Sequence, residues 1–461
     1  MTQEERVVAA VDVGSSKTRI AVGRLDEKGK VQLLSFSQAA TAGVKRGGVE
    51  DVAALTKSIN QAAYALDLGG VAIDEVYVNI SGANFRVIEV AVEHEVEEES
   101  VVSLADWNVL LEKSWAFKVS EGECIYHVEP QEFELDGKPE FDLVGKQGTK
   151  LRMICKLLVG MKSYGRDVCA AVSKSCLRVD QAVCDYISSA EGVLSVEDKT
   201  AGVALLDAGA DLMKLSLYKD GVLRYVKTIP FAGNILTRDL RTVCEISLLQ
   251  AEELKKKHVN VFPLKKSNER IVLPALETVE AKAFEEGDLT DIVGERLKEI
   301  VAKVKMAIEE SGYQGELAKG MVLIGGTAKL KGIASFLKFH LAMDVQIGVP
   351  RMSAGSYSEL ADPSSASVWG LLALGVRELQ DGFSPYQRIQ KIAEVRASKK
   401  KSNEELKVGH SEIFKQFSEL GEAIWKPVKQ KLVKLKDEPA RLIRAVQPKT
   451  YAFFNADLSE K

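Results

Sequence analysis

The chain has 461 residues, of which 46 % are apolar and 28 % are charged, and its net charge is −4. This length and apolar content predict a globular protein with more than one core, and the acidic balance argues against a nucleic-acid partner. No uncharged stretch approaches the roughly 20 residues that a membrane-spanning helix needs, so the sequence predicts no transmembrane segment.

The chain opens with a strand–turn–strand pattern in which VAAVDVG runs through a small-residue turn into the β-type stretch TRIAVGRL. Apolar residues at helical spacing then predict a helix over residues 49–66, and alternation predicts a strand over 76–80. From residue 86 the composition becomes acidic and rich in valine, with a helix predicted over 106–119 between two β-like stretches. The sequence therefore predicts a small inserted α+β unit.

A second strand–turn–strand pattern, LLDAGADLMKLSLY, follows a helix predicted over residues 163–179. In both patterns an aspartate ends the first strand and a glycine stands two residues later, as Asp12 and Gly14 and as Asp207 and Gly209. This repetition indicates an internal duplication with a nucleotide between the halves. Two unrelated hairpins would give the same local pattern.

A third element, MVLIGGTAKLKGI, places Gly325, Gly326 and Thr327 after an apolar strand and before a predicted helix. Such a turn lets backbone N–H groups approach an anion, and the helix N-terminus adds about half a positive charge. Two hairpins followed by this element form the set with which actin, Hsp70 and sugar kinases hold a nucleotide between two RNase-H-like halves.

Successive stretches of the chain resemble segments of the FtsA family rather than actin or Hsp70 in general. They are VDVGSSKTRIAV, HVEPQEFEL, LLDAGADLMKLSLY, TIPFAGNILTRDL, AEELKKKHV, MVLIGGTAKLKGI and PSSASVWGLLALGV. The resemblance covers residues 6 to about 378. It implies an α/β fold of the actin-like, duplicated RNase-H-like type, with an inserted α+β subdomain 1C and a helical C-terminal tail.

The resemblance also implies a division of the chain into subdomains. The expected boundaries are 1–85, 163–198 and 359–390 for subdomain 1A, 86–162 for 1C, 199–234 and 319–358 for 2A, 235–318 for 2B, 391–410 for a linker and 411–461 for an amphipathic membrane-targeting tail.

By the same resemblance the chain is expected to bind ATP and Mg²⁺, with no catalytic residue assigned. The phosphates are assigned to Gly14, Ser15, Ser16 and Lys17, and the magnesium ion, through water, to Asp12 and Asp207. The ribose and adenine side is assigned to Glu253 and Lys256, for which an exposed helix pair is the alternative. The rest of the pocket is assigned to Gly209, Gly233, Asn234, Gly325, Gly326 and Thr327.

The second hairpin turn departs from the family pattern, because Ala210, Asp211 and Leu212 stand where FtsA relatives carry glycine, glycine and threonine. A carboxylate about 4 Å from a phosphate would be repelled by roughly 4 kcal/mol at an intermediate dielectric. We therefore expect weak nucleotide binding or poor hydrolysis, with the pocket acting as a structural switch.

The last 71 residues carry 16 Lys and Arg against 10 Asp and Glu, whereas the rest of the chain carries 46 against 56. Basic residues beside a Trp-bearing apolar stripe are typical of a helix lying in lipid headgroups. The residues assigned to that role are Ile424, Trp425, Val428, Lys429, Lys431, Leu432 and Leu435. A second candidate comprises Leu442, Ile443, Val446, Phe453 and Phe454, and a helix packed on the body or on a partner is the alternative.

The resemblance implies a cell-division protein that polymerises and ties the FtsZ ring to the cytoplasmic face of the membrane at the septum. Its expected partners are FtsZ, other divisome proteins, further copies of itself and an anionic membrane surface. The alternative is an adaptor of type IV pilus assembly resembling PilM. A chaperone of the Hsp70 type would need a β-rich peptide-binding domain, which the lysine-rich tail cannot supply. A sugar kinase would need an acidic base between its lobes, and no stretch of the sequence indicates one.

Overall fold

The computed structural model describes residues 7–26, 31–97, 100–274, 281–351 and 360–381. The chain divides into two compact units, Met1–Arg396 and Ala397–Lys461, and every described residue belongs to the first unit. The expected linker and the tail, with all its assigned membrane residues, lie outside the described residues.

The strands are β1 (Val7–Val13), β2 (Lys17–Leu25), β3 (Val31–Ala40), β4 (Val44–Lys45), β5 (Gly48–Val49), β6 (Glu75–Ile80), β7 (Arg86–Glu95), β8 (Glu123–Leu135), β9 (Lys138–Glu140), β10 (Lys150–Met161), β11 (Arg178–Cys184), β12 (Val203–Ala208), β13 (Met213–Lys219), β14 (Val222–Ile229), β15 (Arg270–Leu273), β16 (Lys282–Glu285), β17 (Met321–Ile324) and β18 (Val345–Ile347). The helices are α1 (Val52–Tyr64), α2 (Leu104–Trp115), α3 (Lys162–Lys174), α4 (Asp185–Val193), α5 (Val196–Ala201), α6 (Gly233–Cys244), α7 (Leu248–His258), α8 (Glu286–Glu310), α9 (Ile333–Leu341) and α10 (Ala366–Asp381).

The first of two similar halves, called half I, consists of a five-stranded sheet of order β3-β2-β1-β6-β11 and the helices that cover it, which include α1, α3 and α10. Strand β1 pairs antiparallel with β2 and parallel with β6, and β11 is parallel to β6. Successive side chains of β1 point to opposite faces, so both faces of this buried strand are covered. Val11 packs in a cluster with α1 and α3, whereas Val8 and Ala10 pack against α10.

Half II repeats the same order, β14-β13-β12-β17-β18, with the same strand directions. Helices α6, α7, α8 and α9 contribute to its core, and the small sheet of β15 and β16 joins that core. The predicted duplication of the hairpin unit is therefore present in the fold, since each half starts with the hairpin and places its later strands parallel to the first.

The insert, strands β7 to β10 with helix α2, lies between β6 and β11 of half I and forms its own sheet of order β7-β10-β8-β9. Helix α2 begins two residues earlier than predicted, because Ser103 and Asp106 cap its first turn reciprocally, and it ends at Trp115. Trp107 is buried in the core of the insert. Among the helices that the structure describes, none combines the length and apolar character needed to cross a bilayer.

Candidate functional site

The two hairpin turns that carry the predicted phosphate loops have the same geometry. In the first turn, Gly14 N–H donates to the carbonyl of Lys17 (3.1 Å), and in the second, Gly209 N–H donates to the carbonyl of Leu212 (3.0 Å). A Cβ on either glycine would lie 3.0 Å from the carbonyl oxygen that its N–H contacts. The two predicted loops are therefore equivalent turns of the duplicated unit.

Several residues assigned to the pocket converge on the second turn. The carbonyl of Gly209 accepts from Gly233 N–H (3.2 Å) and from the Thr327 hydroxyl (2.8 Å). The carbonyl of Ala210 accepts from Asn234 N–H (2.7 Å). These bonds tie the start of α6 and the segment after β17 to the same turn, so residues from three separate stretches of sequence meet at one point.

Gly325 closes this junction, and its conformation requires glycine. Its φ is +89°, and a Cβ there would lie 2.4 Å from the Ala208 carbonyl and 2.5 Å from Asp207 Oδ1. Gly326, in contrast, faces open space. The helix expected directly after Thr327 is delayed, because a 3₁₀ turn occupies Gly326–Lys329 and α9 begins only at Ile333.

Each aspartate assigned to magnesium forms an ion pair with the basic residue opposite it in its hairpin. Asp12 pairs in register with Arg19, and their side chains are 3.2 Å apart. Asp207 pairs in register with Lys214 at 2.7 Å. Arg19 and Lys214 were not predicted as partners of the aspartates. The length of each four-residue turn fixes the register of its hairpin, and therefore which residue faces the aspartate.

Lys214 is held by a second carboxylate, that of Asp185 at the start of α4, at 2.5 Å. Asp185 is 1 % exposed and the Lys214 side chain 13 % exposed, so the pair is screened little by water. Burial alone would lower the pKa of Lys214, but Asp185 and Asp207 hold that pKa well above its ordinary value. Lys214 is therefore a fixed positive charge next to the second turn.

Lys17 of the first turn lies near other cations, each of which also pairs with a carboxylate. Burial lowers the pKa of Lys17, and repulsion by Arg19, Lys329 and Lys256 lowers it further. The Lys17 ammonium donates to the neutral Gln38 side chain (3.0 Å). Cations that repel one another in this way are stabilised by an anion, and a phosphate chain supplies such charge.

Asp211 occupies the equivalent position to Ser16 and contacts both halves. Its Oδ2 accepts from Arg46 N–H (3.0 Å) at the tip of the β4–β5 hairpin, and its Oδ1 accepts from Asn234 Nδ2 (2.8 Å). The adjacent Gly47 N–H lies 3.4 Å from Ser15 Oγ. The carboxylate thus takes two donors at the place where the two turns face each other.

The pair assigned to the ribose and adenine side has other partners. Glu253 is exposed and pairs with Lys257, whereas Lys256 pairs with Glu252. The buried cation of α7 is Lys255, whose ammonium donates to the Gly233 carbonyl at the start of α6 (3.0 Å). The assignment of Glu253 and Lys256 to the ribose and adenine side stays a prediction.

The donor set of Asp12 and Asp207 suits a divalent cation poorly. Magnesium is bound through oxygen ligands and retains several waters, which need lone pairs that no cation already occupies. Here each carboxylate already contacts an ordered cation, and Asp12 also lies within electrostatic range of Lys214. The described part of the chain holds no group of three or more His, Cys, Asp or Glu suited to a metal ion.

The model of the family "Cell division protein FtsA" matches residues 204–370. A protein of that name from Pseudomonas aeruginosa is 24 % identical over 389 residues, which cover 83 % of this chain and 92 % of the relative. The Escherichia coli K12 relative is 23 % identical, covering 84 % of this chain and 94 % of its own length. The one from Borreliella burgdorferi is 27 % identical, covering 79 % and 90 %.

Among solved structures, a chain of the PilM–PilN type IV pilus biogenesis complex superposes with a TM-score of 0.56 at 15 % identity. The match covers 80 % of this chain and 98 % of that one. At this identity the likeness shows the fold alone, and it agrees with the duplicated sheets of halves I and II. The chain is thus similar to the cell division protein FtsA over most of its length and has an actin-like fold, and both predictions from its motifs are confirmed.

Proposed function

We propose that this protein binds a nucleotide between halves I and II and links an FtsZ polymer to the cytoplasmic face of the membrane. The observation that carries the proposal is the pair of equivalent turns, Gly14–Lys17 and Gly209–Leu212, in a chain similar to FtsA over most of its length. Backbone N–H groups and the cations around Lys17 supply donors for phosphate oxygens. In this proposal the insert takes the place of subdomain 1C.

A cleft of about 590 Å³ in half II is a candidate for the FtsZ contact. It lies between residues 260–267 and the first half of α8, within the region that the resemblance assigns to subdomain 2B. Leu264 at its edge is fully exposed, and the exposed Phe262 ring packs against Phe339, with ring centroids 5.8 Å apart. Exposed apolar side chains beside a cleft are typical of a peptide-docking surface.

The cleft can be tested with one exposed side chain. We expect Leu264→Ala to weaken FtsZ binding by about tenfold, since a buried leucine anchor contributes on the order of 1–3 kcal/mol to an interface. Fluorescence anisotropy of labelled FtsZ measures this. Tyr64→Ala, which removes a side chain that is 89 % exposed on α1 of half I, is the control and should leave binding unchanged.

The whole proposal is tested by sedimentation with anionic vesicles and FtsZ, with and without ATP. Full-length protein should carry FtsZ into the vesicle pellet, and a variant truncated after Gln390 should leave it in solution. FtsZ remaining in solution while the full-length protein pellets with lipid would contradict the FtsZ adaptor and favour the pilus-assembly type. Binding of the truncated variant to vesicles would contradict the assignment of the tail.

A further inference from the structure

The same acid–base pair occurs at equivalent positions of the two hairpins. Asp12 faces Arg19 and Asp207 faces Lys214, each aspartate being the penultimate residue of its first strand. Both pairs lie beneath the turns that would cradle a nucleotide. The pairs recur at matched positions of the duplicated unit, so each lies next to one of the two turns that are proposed to hold the nucleotide.

Both cations are held in place by further contacts. Arg19 is 8 % exposed and donates through Nη2 to the Ser364 hydroxyl (2.8 Å). Lys214 donates to Asp185 and contacts Asp207, within 2.5 and 2.7 Å. Ser364 is in turn held by Asp362, which also pairs with Lys329. The cations are therefore preorganised rather than mobile.

The charges of the three aspartates and the two cations nearly cancel. Asp12, Asp185 and Asp207 carry three negative charges, and Arg19 and Lys214 carry two positive ones. A divalent ion entering beside Asp12 and Asp207 would meet two fixed cations already in contact with those carboxylates, and it would be repelled by both. The neutralisation that a divalent ion would give these carboxylates is thus largely supplied by Arg19 and Lys214.

We propose that Arg19 and Lys214 take the place of a divalent cation in the cleft, so that this chain holds its nucleotide without a metal ion. The inference rests on the proposed nucleotide site and specifies the form of the ligand, which is the nucleotide alone rather than its magnesium complex. Lys17 then contacts the phosphates directly. Lys256 and Lys329 are close enough to Lys17 to repel its charge.

The test is the affinity of the full-length protein for ATP and for ADP, measured by titration calorimetry in MgCl₂ and in EDTA. We expect the dissociation constants in the two buffers to agree within about threefold. Binding that is weaker in EDTA by more than about tenfold overturns the inference and leaves the nucleotide site intact. No binding in either buffer overturns the nucleotide site and the inference with it.

A variant tests the assignment to Lys214. Lys214→Thr leaves Asp185 and Asp207 without their cation, and we expect the affinity ratio between MgCl₂ and EDTA to rise to about tenfold or more. Equal affinity in both buffers would contradict the role of Lys214. Lys227→Thr, the same change on an exposed lysine of β14, should keep the wild-type ratio. The wild-type comparison remains decisive if Lys214→Thr does not fold.

Discussion

The carboxylate of Asp211 already accepts hydrogen bonds from Arg46 N–H and the Asn234 side chain, which are groups that an anion in the cleft could use. Its negative charge repels a phosphate, by roughly 4 kcal/mol at 4 Å before screening. We expect the isosteric change Asp211→Asn to tighten ATP binding by about tenfold, which is about 1.4 kcal/mol or roughly a third of that repulsion.

Calorimetric titration with ATP measures the effect of Asp211→Asn. Asp167→Asn, which removes an equal charge on α3 beside Arg166, is the control and should not change the affinity. Unchanged or weaker ATP binding by Asp211→Asn would show that the Asp211 charge does not oppose the phosphates.

Glu252 gives a pH-dependent contribution to stability. Burial opposes its ionisation, yet hydrogen bonds from Lys255 and Thr237 lower the pKa of Glu252 from 4.5 to about 2. Because the folded-state pKa is below the unfolded value, the stabilisation is complete above pH 4.5 and decreases as the pH falls toward 2. We expect Glu252→Gln to lower the free energy of unfolding by about 2 kcal/mol at pH 7.

Urea unfolding of wild type and Glu252→Gln between pH 7 and pH 3 measures this contribution. The difference should shrink below about pH 4.5. A difference that is constant with pH would place the effect in packing rather than in charge.

At the residue scale the sequence predicted the glycines better than the charged partners. Gly14, Gly209 and Gly325 were found because a tight turn or a positive φ admits few other residues, which leaves a local signal. Arg19 and Lys214 were missed because they read as ordinary polar positions of a strand. Counting across each four-residue turn would have placed them opposite Asp12 and Asp207.

Helices α4 and α10 are in contact through glycines. A Cβ on Gly370 would lie 1.7 Å from the Ser188 carbonyl oxygen, and one on Gly192 would lie 2.1 Å from that of Ala366. Because these are backbone atoms of packed helices, a methyl group forces the helices apart. We expect Gly370→Ala to lower the free energy of unfolding by about 2–3 kcal/mol.

The control for Gly370→Ala is Gly294→Ala in the middle of α8, where a Cβ would meet nothing within 4 Å. That change should be neutral or stabilise by up to about 1 kcal/mol, since glycine is unfavourable in a helix interior. Denaturant unfolding distinguishes the two variants. Equal effects would contradict the close contact.

At the element scale the hairpins and α1 were predictable because their periodicity is local. The helix after β17 was misplaced, because the positive φ of Gly332 (+79°) lets α9 start there instead. Helix α3 was predicted to run to residue 179 but ends at Lys174, and β11 starts at Arg178. The strand pairs in parallel with β6, a tertiary contact that overrides the local helical pattern.

The insert is joined to half II as well as to half I. Arg224 of β14 donates to the Gln131 side chain (2.8 Å), and Gln131 donates to the Leu223 carbonyl (3.1 Å). Gln131 is 2 % exposed, so these bonds are screened little by water. We expect a double-mutant cycle of Gln131→Ala and Arg224→Ala to give a coupling energy of about 1 kcal/mol.

Urea unfolding of the four proteins measures this coupling between the insert and half II. A matched cycle of Gln131→Ala with Lys227→Ala, an exposed position on the same strand, should give no coupling. A coupling near zero in the first cycle would mean that the Gln131–Arg224 contact does not hold the insert to half II.

At the scale of the whole molecule the sequence predicted the duplication, because the spacing of Asp12 and Gly14 recurs at Asp207 and Gly209. It did not predict which surfaces of the insert meet half II. That contact joins residues almost a hundred positions apart through polar groups, and such a pairing leaves no periodic pattern in the sequence.

The chain order of the halves has a consequence for synthesis on the ribosome. All five sheet strands of half II lie between Val203 and Ile347, so half II can fold as soon as that stretch has emerged. The face of β1 that carries Val8 and Ala10 must wait for α10, which is translated after the whole of half II. This face of β1 therefore stays uncovered by α10 until the whole of half II has been translated.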